Sequence, residues 1–248
     1  MPRVYVDPGH GGDDPGASGH GLVEKDVNLR IARRVAAWLA RHGLSVRMSR
    51  TGDTTKSLQA RTGEANGWGA DAFVSIHCNA SPDSSANGFE VWHSVRPGSP
   101  GRILARYLVQ WLDRLTPLAN RGARARAGPG GRDSFHVIRE TRMPAVIVEC
   151  GFLTHPGDAR YLGSESGQAQ VAEAIARGVL QYFGRAWGPP RDEPGPGEGA
   201  PVDRVQRAGG RVRYRVIIGS FRHRANAERM AARARKAGFD AWIDRVRI

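Results

Sequence analysis

Val4-Tyr5-Val6-Asp7-Pro8-Gly9-His10-Gly11-Gly12 carries an apolar run straight into a glycine-rich loop. The run is β-branched and aromatic, which predicts a buried strand. The glycines let the backbone turn sharply and leave the His10 imidazole exposed at the strand end. Further strand candidates are Ser45 to Met48, Ala72 to Ile76, Gly88 to Trp92 and Ala145 to Val148. Between them, Val27 to Arg41 sets Val27, Leu29, Ile31, Val35, Trp38 and Leu39 on a helical face stopped by Gly43, and Ile103 to Leu115 and Val171 to Phe183 repeat the pattern. Strands alternating with helices predict an α/β domain with a mostly parallel sheet and helices on both faces. In such sheets ligands bind beyond the carboxyl ends of the strands.

The chain has 248 residues, 40% of them hydrophobic, enough for one large domain or a medium domain with an appendage. No apolar run approaches the ~18 residues of a membrane span. No secretory signal is read ahead of the first strand, so the expectation is release on lysis or export by another route. Two cysteines, Cys78 and Cys150, are too few for a disulfide framework or a four-cysteine metal site. Formal net charge is +13, and 13 basic against 4 acidic residues from Asp203 onward put a surplus of nine in the C-terminal piece. Such a polycation expects an anionic partner: nucleic acid, wall polymer or acidic lipid. Proline and glycine dominate residues 188–201, which read as a linker. Beyond it, Tyr214 to Ile218, Ala225 to Ala237 and Ala241 to Ile248 read as one β-α-β unit. The expected division is 1–187 as the main domain, 188–202 as linker and 203–248 as the basic unit.

Four residues carry candidate chemistry. His10 is a metal ligand or a loop histidine at a helix cap. Glu24 precedes the first long helix, where acidic residues commonly complement the macrodipole. His77 ends the apolar strand Phe73-Val74-Ser75-Ile76, and a histidine there must be hydrogen-bonded or liganded. Glu149 follows Val146-Ile147-Val148, where a charged carboxylate is costly without a metal, a functional protonation or a salt bridge. Two histidines and two glutamates at strand ends suit a catalytic zinc site of three ligands with an open fourth position, plus a free carboxylate for proton handling.

The strings Asp7-Pro-Gly-His-Gly-Gly12, Gly21-Leu-Val-Glu-Lys-Asp-Val-Asn28, Ser75-Ile-His-Cys-Asn79 with Gly88-Phe-Glu-Val-Trp92, and Pro144-Ala-Val-Ile-Val-Glu-Cys-Gly-Phe152 together resemble the N-acetylmuramoyl-L-alanine amidases of the amidase-3 type. The resemblance spans about residues 3 to 184. It implies a mixed six-stranded sheet, zinc held by His10, Glu24 and His77, and Glu149 as the catalytic carboxylate. His93 stands where tyrosine is common in that family, and His155 where asparagine is. The C-terminal Tyr214-Arg-Val-Ile-Ile-Gly-Ser-Phe221 with Ala225-Asn-Ala-Glu228 resembles one half of a SPOR peptidoglycan-binding repeat. That implies peptidoglycan as partner, with self-association through the half-repeat as a way to complete it.

The implied reaction is hydrolysis of the amide between N-acetylmuramic acid and L-alanine, by a phage endolysin or an autolysin. Alternatives are a zinc peptidase cutting the stem peptide and a non-catalytic basic protein that binds wall or nucleic acid. The tail lacks an RNA-binding signature, so no specific nucleic acid is expected. A cysteine nucleophile is disfavoured, because alternation turns both thiols away from the His77 and Glu149 face. The same alternation predicts a close approach, even a disulfide, between Cys78 and Cys150. Gly128-Pro-Gly-Gly131 lacks the Lys-Ser/Thr of a phosphate loop. Arg61 and Asn79 are candidates for positioning substrate, although an arginine on a helix face is ordinarily solvated.

Overall fold

The computed structural model describes residues 1–188. The expected linker beyond residue 188 and the expected C-terminal β-α-β unit lie outside the described residues. Eight strands and six α-helices follow one another as β1 (Arg3–Pro8), β2 (Ser18–Gly19), β3 (Leu22–Val23), α1 (Glu24–Arg41), β4 (Ser45–Met48), α2 (Leu58–Trp68), β5 (Ala72–Asn79), β6 (Phe89–His93), α3 (Pro100–Leu115), β7 (Asn120–Ala125), α4 (His136–Glu140), β8 (Ala145–Phe152), α5 (Pro156–Gly163) and α6 (Glu165–Tyr182).

Six strands form one sheet in the order β4-β1-β5-β8-β6-β7, and β2 and β3 form a separate short hairpin. β1, β4, β5 and β8 run parallel, whereas β6 lies antiparallel to β8 and carries β7 parallel to itself. This is the mixed, mostly parallel sheet expected.

The two faces are covered unequally. Val4, Val6, Val74, Ile76, Val146 and Val148 pack against the apolar stripes of α1, α3 and α6, giving the larger core. Tyr5, Phe73, Ala145 and Ile147 point the other way, toward Ala65 of α2 and Val137 and Ile138 of α4. Both helices there are short, and that face continues past them as a row of polar side chains. The strand period of two assigns Asp7, Ser75, His77 and Glu149 to that row.

Two expectations are corrected. Cys78 and Cys150 are free, so no disulfide joins them. They are neighbours within one core cluster, but β5 shifts register between His77 and Asn79, taking Cys78 out of straight alignment with Cys150. Strand spacing of ~4.8 Å also exceeds the ~3.8 Å between Cβ atoms that a disulfide prefers. Burial pushes both thiols well above their usual range, with Cys150 adding to the shift at Cys78, so neither is an activated nucleophile. Arg61 is the second correction: it lies on α2 but is only 3% exposed, pointing inward to pair with Asp7.

Candidate metal centre

The carboxyl ends of β1, β5 and β8 bring the four candidate side chains together. His10 leaves β1 with φ 60°, a left-handed conformation uncommon outside glycine. Its Nδ1–H donates to Asp14 Oδ2 at 2.8 Å, which turns Nε2 inward. Glu24 opens α1, but the residue is 4% exposed and does not serve as a solvated cap charge. Its Oε2 accepts from Ala17 N–H at 2.8 Å, and Oε1 accepts from Cys78 N–H at 3.0 Å. Asn28, one turn along α1, donates to both Glu24 Oε1 and the Gly9 carbonyl at 3.3 Å.

Glu24 Oε1 stands 3.2 Å from His10 Nε2 and 3.0 Å from His77 Nδ1. The two imidazoles meet edge to face, with centroids 4.9 Å apart and an interplanar angle of 78°. Among the described residues, His10, Glu24 and His77 form a His/Cys/Asp/Glu group whose donor atoms all lie within 4.8 Å of one another. Tetrahedral zinc with bonds of ~2.0–2.1 Å separates its donors by about 3.3 Å, so the set fits that ion. The Asp14–His10 bond is the carboxylate–histidine support that metal-binding imidazoles ordinarily have. Gly9 leaves room for the His77 ring: a Cβ there would lie 2.2 Å from His77 Cε1 and Nε2.

Electrostatics tie the donors to one another. Burial pulls His10 down, but hydrogen bonds and charge from Glu24 and Asp14 outweigh it and push it up to about 9. Burial likewise opposes charge on His77, and Glu24 and Glu149 raise it nonetheless. Glu24 feels burial upward, yet His10 and His77 hold it well below the usual carboxylate range.

Glu149 behaves oppositely. It pairs in register with His77 across β5 and β8, and its buried Oε2 has no hydrogen-bond partner. Burial, aided by the charges of Glu24 and Glu90 and countered by His77 and His10, pushes it up to about 7. A half-buried carboxylate poised near neutrality, beside a cation site, is suited to exchanging protons.

Two arginines fix the loop that carries His10. Arg61 Nη1 donates to Asp7 Oδ1 at 2.6 Å and to the Pro8 carbonyl at 2.8 Å, while Nη2 donates to the His10 carbonyl at 2.7 Å. Arg50 donates to the carbonyls of Pro8, Gly9 and Lys25 at 3.0, 2.9 and 2.8 Å. Asp7 also accepts from Ser75 Oγ at 2.7 Å, linking the network to the strand that ends in His77. Asn79, the other positioning candidate, donates instead to Glu90 Oε1 at 3.1 Å. Sequence reading missed Asp7, Asp14, Arg50 and Glu90. Asp7 offered a signal, being an acid at the end of an apolar strand just as Glu149 is.

An α/β sheet whose strand ends gather two histidines and two glutamates is the frame of a hydrolase. Residues 4–181 match the N-acetylmuramoyl-L-alanine amidase family model, and residues 197–247 match the SPOR domain. The chain is 34% identical over 245 residues to the sporulation-specific N-acetylmuramoyl-L-alanine amidase of Bacillus subtilis, covering 98% of this chain and 84% of the relative. The solved N-acetylmuramoyl-L-alanine amidase from Clostridium difficile 630 is similar with a TM-score of 0.69 and 37% identity, over 74% of this chain and 97% of that one. Amidase AmiC2 of Nostoc punctiforme is similar with a TM-score of 0.68 and 40% identity, over 74% and 98%. The chain belongs to the N-acetylmuramoyl-L-alanine amidase family.

Proposed function

We propose that this chain hydrolyses the amide between N-acetylmuramic acid and L-alanine in peptidoglycan, with zinc held by His10, Glu24 and His77 and with Glu149 as the catalytic carboxylate. The observation that supports this most is the juxtaposition of a three-donor cluster with Glu149, whose buried Oε2 has no hydrogen-bond partner. Bound there, zinc supplies an electrophile that polarises the scissile carbonyl and makes water acidic enough to react near neutral pH.

The chain's own groups do the rest. Glu149 Oε2, with no competing donor, accepts the proton of the attacking water and then delivers it to the departing alanine nitrogen. Asp14 holds His10 in the tautomer that keeps Nε2 free. Arg61 and Arg50 fix the backbone on which His10 stands, so the donors need not reorganise during turnover. A carboxylate among the donors leaves the loaded site less positive than three histidines would.

Residues 1–187 form the catalytic part in this reading, 188–202 the linker and 203–248 the wall-binding part. The SPOR match and the C-terminal basic surplus support peptidoglycan as its partner, through anionic groups of the wall. Pairing of the C-terminal part with that of a second copy is included in the proposal. Sedimentation of the full chain with purified sacculi tests wall binding, and analytical ultracentrifugation tests pairing. Zinc analysis together with identification of the newly freed amino terminus tests the reaction. Alanine at that terminus supports the amidase, and any other residue supports a stem-peptide peptidase.

A further inference from the structure

Beside the half-buried Glu149 the sheet holds a fully buried carboxylate. Glu90 faces Glu149 in the antiparallel β6–β8 register and is 3% exposed. Its Oε1 accepts from Asn79, and its Oε2 lies 2.9 Å from Arg121 Nε and 3.2 Å from Arg124 Nε. Both arginines belong to the outer strand β7. A register shift between Phe89 and Val91 sets more of β7 opposite Glu90, so the two guanidinium groups converge on one carboxylate.

The two arginines are held differently. Arg121 also donates from Nη1 to the Asn87 carbonyl at 3.4 Å and lies over the Phe152 ring at 4.9 Å. Arg124 is anchored only through Nε, to Glu90 and to the Arg121 carbonyl at 3.2 Å. Its side chain is 43% exposed, and neither Nη has a partner among the described residues. One carboxylate against two guanidiniums leaves a positive charge in excess, carried by a planar pair of free donors. Such a fork matches a carboxylate bidentately.

Strand spacing fixes the reach. Adjacent strands lie ~4.8 Å apart, so the Glu90–Arg124 pair stands about 5–10 Å from Glu149, and an extended residue advances ~3.3 Å. With the scissile amide at Glu149, the first acidic group to reach Arg124 belongs to the residue after L-alanine. We propose that Arg124, braced by Glu90, binds the free α-carboxylate of the second stem-peptide residue, so that the enzyme discriminates against stems amidated there. The proposal rests on the amidase reading above.

The test uses the zinc-loaded full chain and two peptidoglycan preparations whose second stem residue has its α-carboxyl either free or amidated. Release of L-alanine amino termini is followed at low substrate. A charge-assisted contact of this kind gives the wild type about a tenfold preference for the free acid. Arg124→Gln is expected to lose that preference through the acid substrate, and Arg124→Lys to retain part of it. Inhibition by the released peptide with a free α-carboxyl should weaken about tenfold in Arg124→Gln, a readout independent of turnover. Equal wild-type rates on both preparations, or an equal loss on both in Arg124→Gln, overturn the subsite. Inactivity of the wild type on both overturns the amidase reading itself.

Discussion

Arg61 and Asp7 form an ion pair at 2.6 Å in which neither side chain is more than 4% exposed, and the same guanidinium holds the His10 carbonyl. One helix residue thereby connects the β1 carboxylate to the loop bearing a candidate ligand.

Removing Arg61 should therefore act twice. Arg61→Ala leaves Asp7 buried without its partner, a change that costs about 3–5 kcal/mol in comparable pairs. Denaturant unfolding of the metal-free protein checks this. Arg61→Lys keeps the charge but loses the fork, so it should fold and bind zinc about 10–100-fold more weakly, the range for lost support of a metal ligand. Competition with a chromophoric chelator measures that affinity.

Gly9→Ala should damage the site without a backbone penalty. Gly9 is not in the left-handed region, so the added methyl meets only a problem of space, 2.2 Å from the His77 ring. Moving that ring displaces one of the three donors. Zinc affinity should fall at least as far as in Arg61→Lys, while thermal unfolding shifts by the ~1–3 kcal/mol typical of overpacking.

The raised histidines make zinc binding release protons. His10 sits near 9 without metal, so at pH 7 it is protonated and must deprotonate to bind. Zinc affinity should rise as pH climbs from 6.5 to 9, and calorimetry in buffers of different ionisation enthalpy should detect the released proton. Stability of the metal-free protein runs the other way. A histidine whose folded pKa is raised stabilises fully below its unfolded value and loses that contribution as pH rises through the folded one. Glu149 adds to the trend at lower pH. Its pKa moves from 4.5 to about 7 on folding, so its contribution is present below 4.5 and lost as pH rises through 7. Glu149→Gln should flatten that part of the stability profile.

Much of this was legible because burial leaves periodic traces. The strands around Val4, Ala72 and Ala145 are apolar runs that must be covered, and the stripe on α1 marks what covers them. The ends extended further than the apolar runs: β5 reaches Asn79 and β8 reaches Phe152, because the strand continues through the polar functional residues. β7 left no trace, since Asn-Arg-Gly-Ala-Arg-Ala is an outer strand with no buried residue. α2 escaped for a related reason: it buries Arg61, Thr62 and Ala65, which make no apolar stripe. His77 and Glu149 were visible as polar residues at the ends of apolar strands, where polarity is costly, whereas His10 and Glu24 stood out only through the family motifs around them. Arg61 and Glu90 were not, because their burial depends on partners far away in sequence.

Zinc stoichiometry and stem-peptide release, measured together on wild type and Glu149→Ala, test most directly whether this site is a zinc amidase centre. One zinc is expected in each, with new L-alanine amino termini from peptidoglycan with the wild type and a rate lower by about 10²–10⁴-fold in the variant. A wild type without stoichiometric zinc, or a zinc-loaded variant that cuts as fast as the wild type, would contradict that assignment.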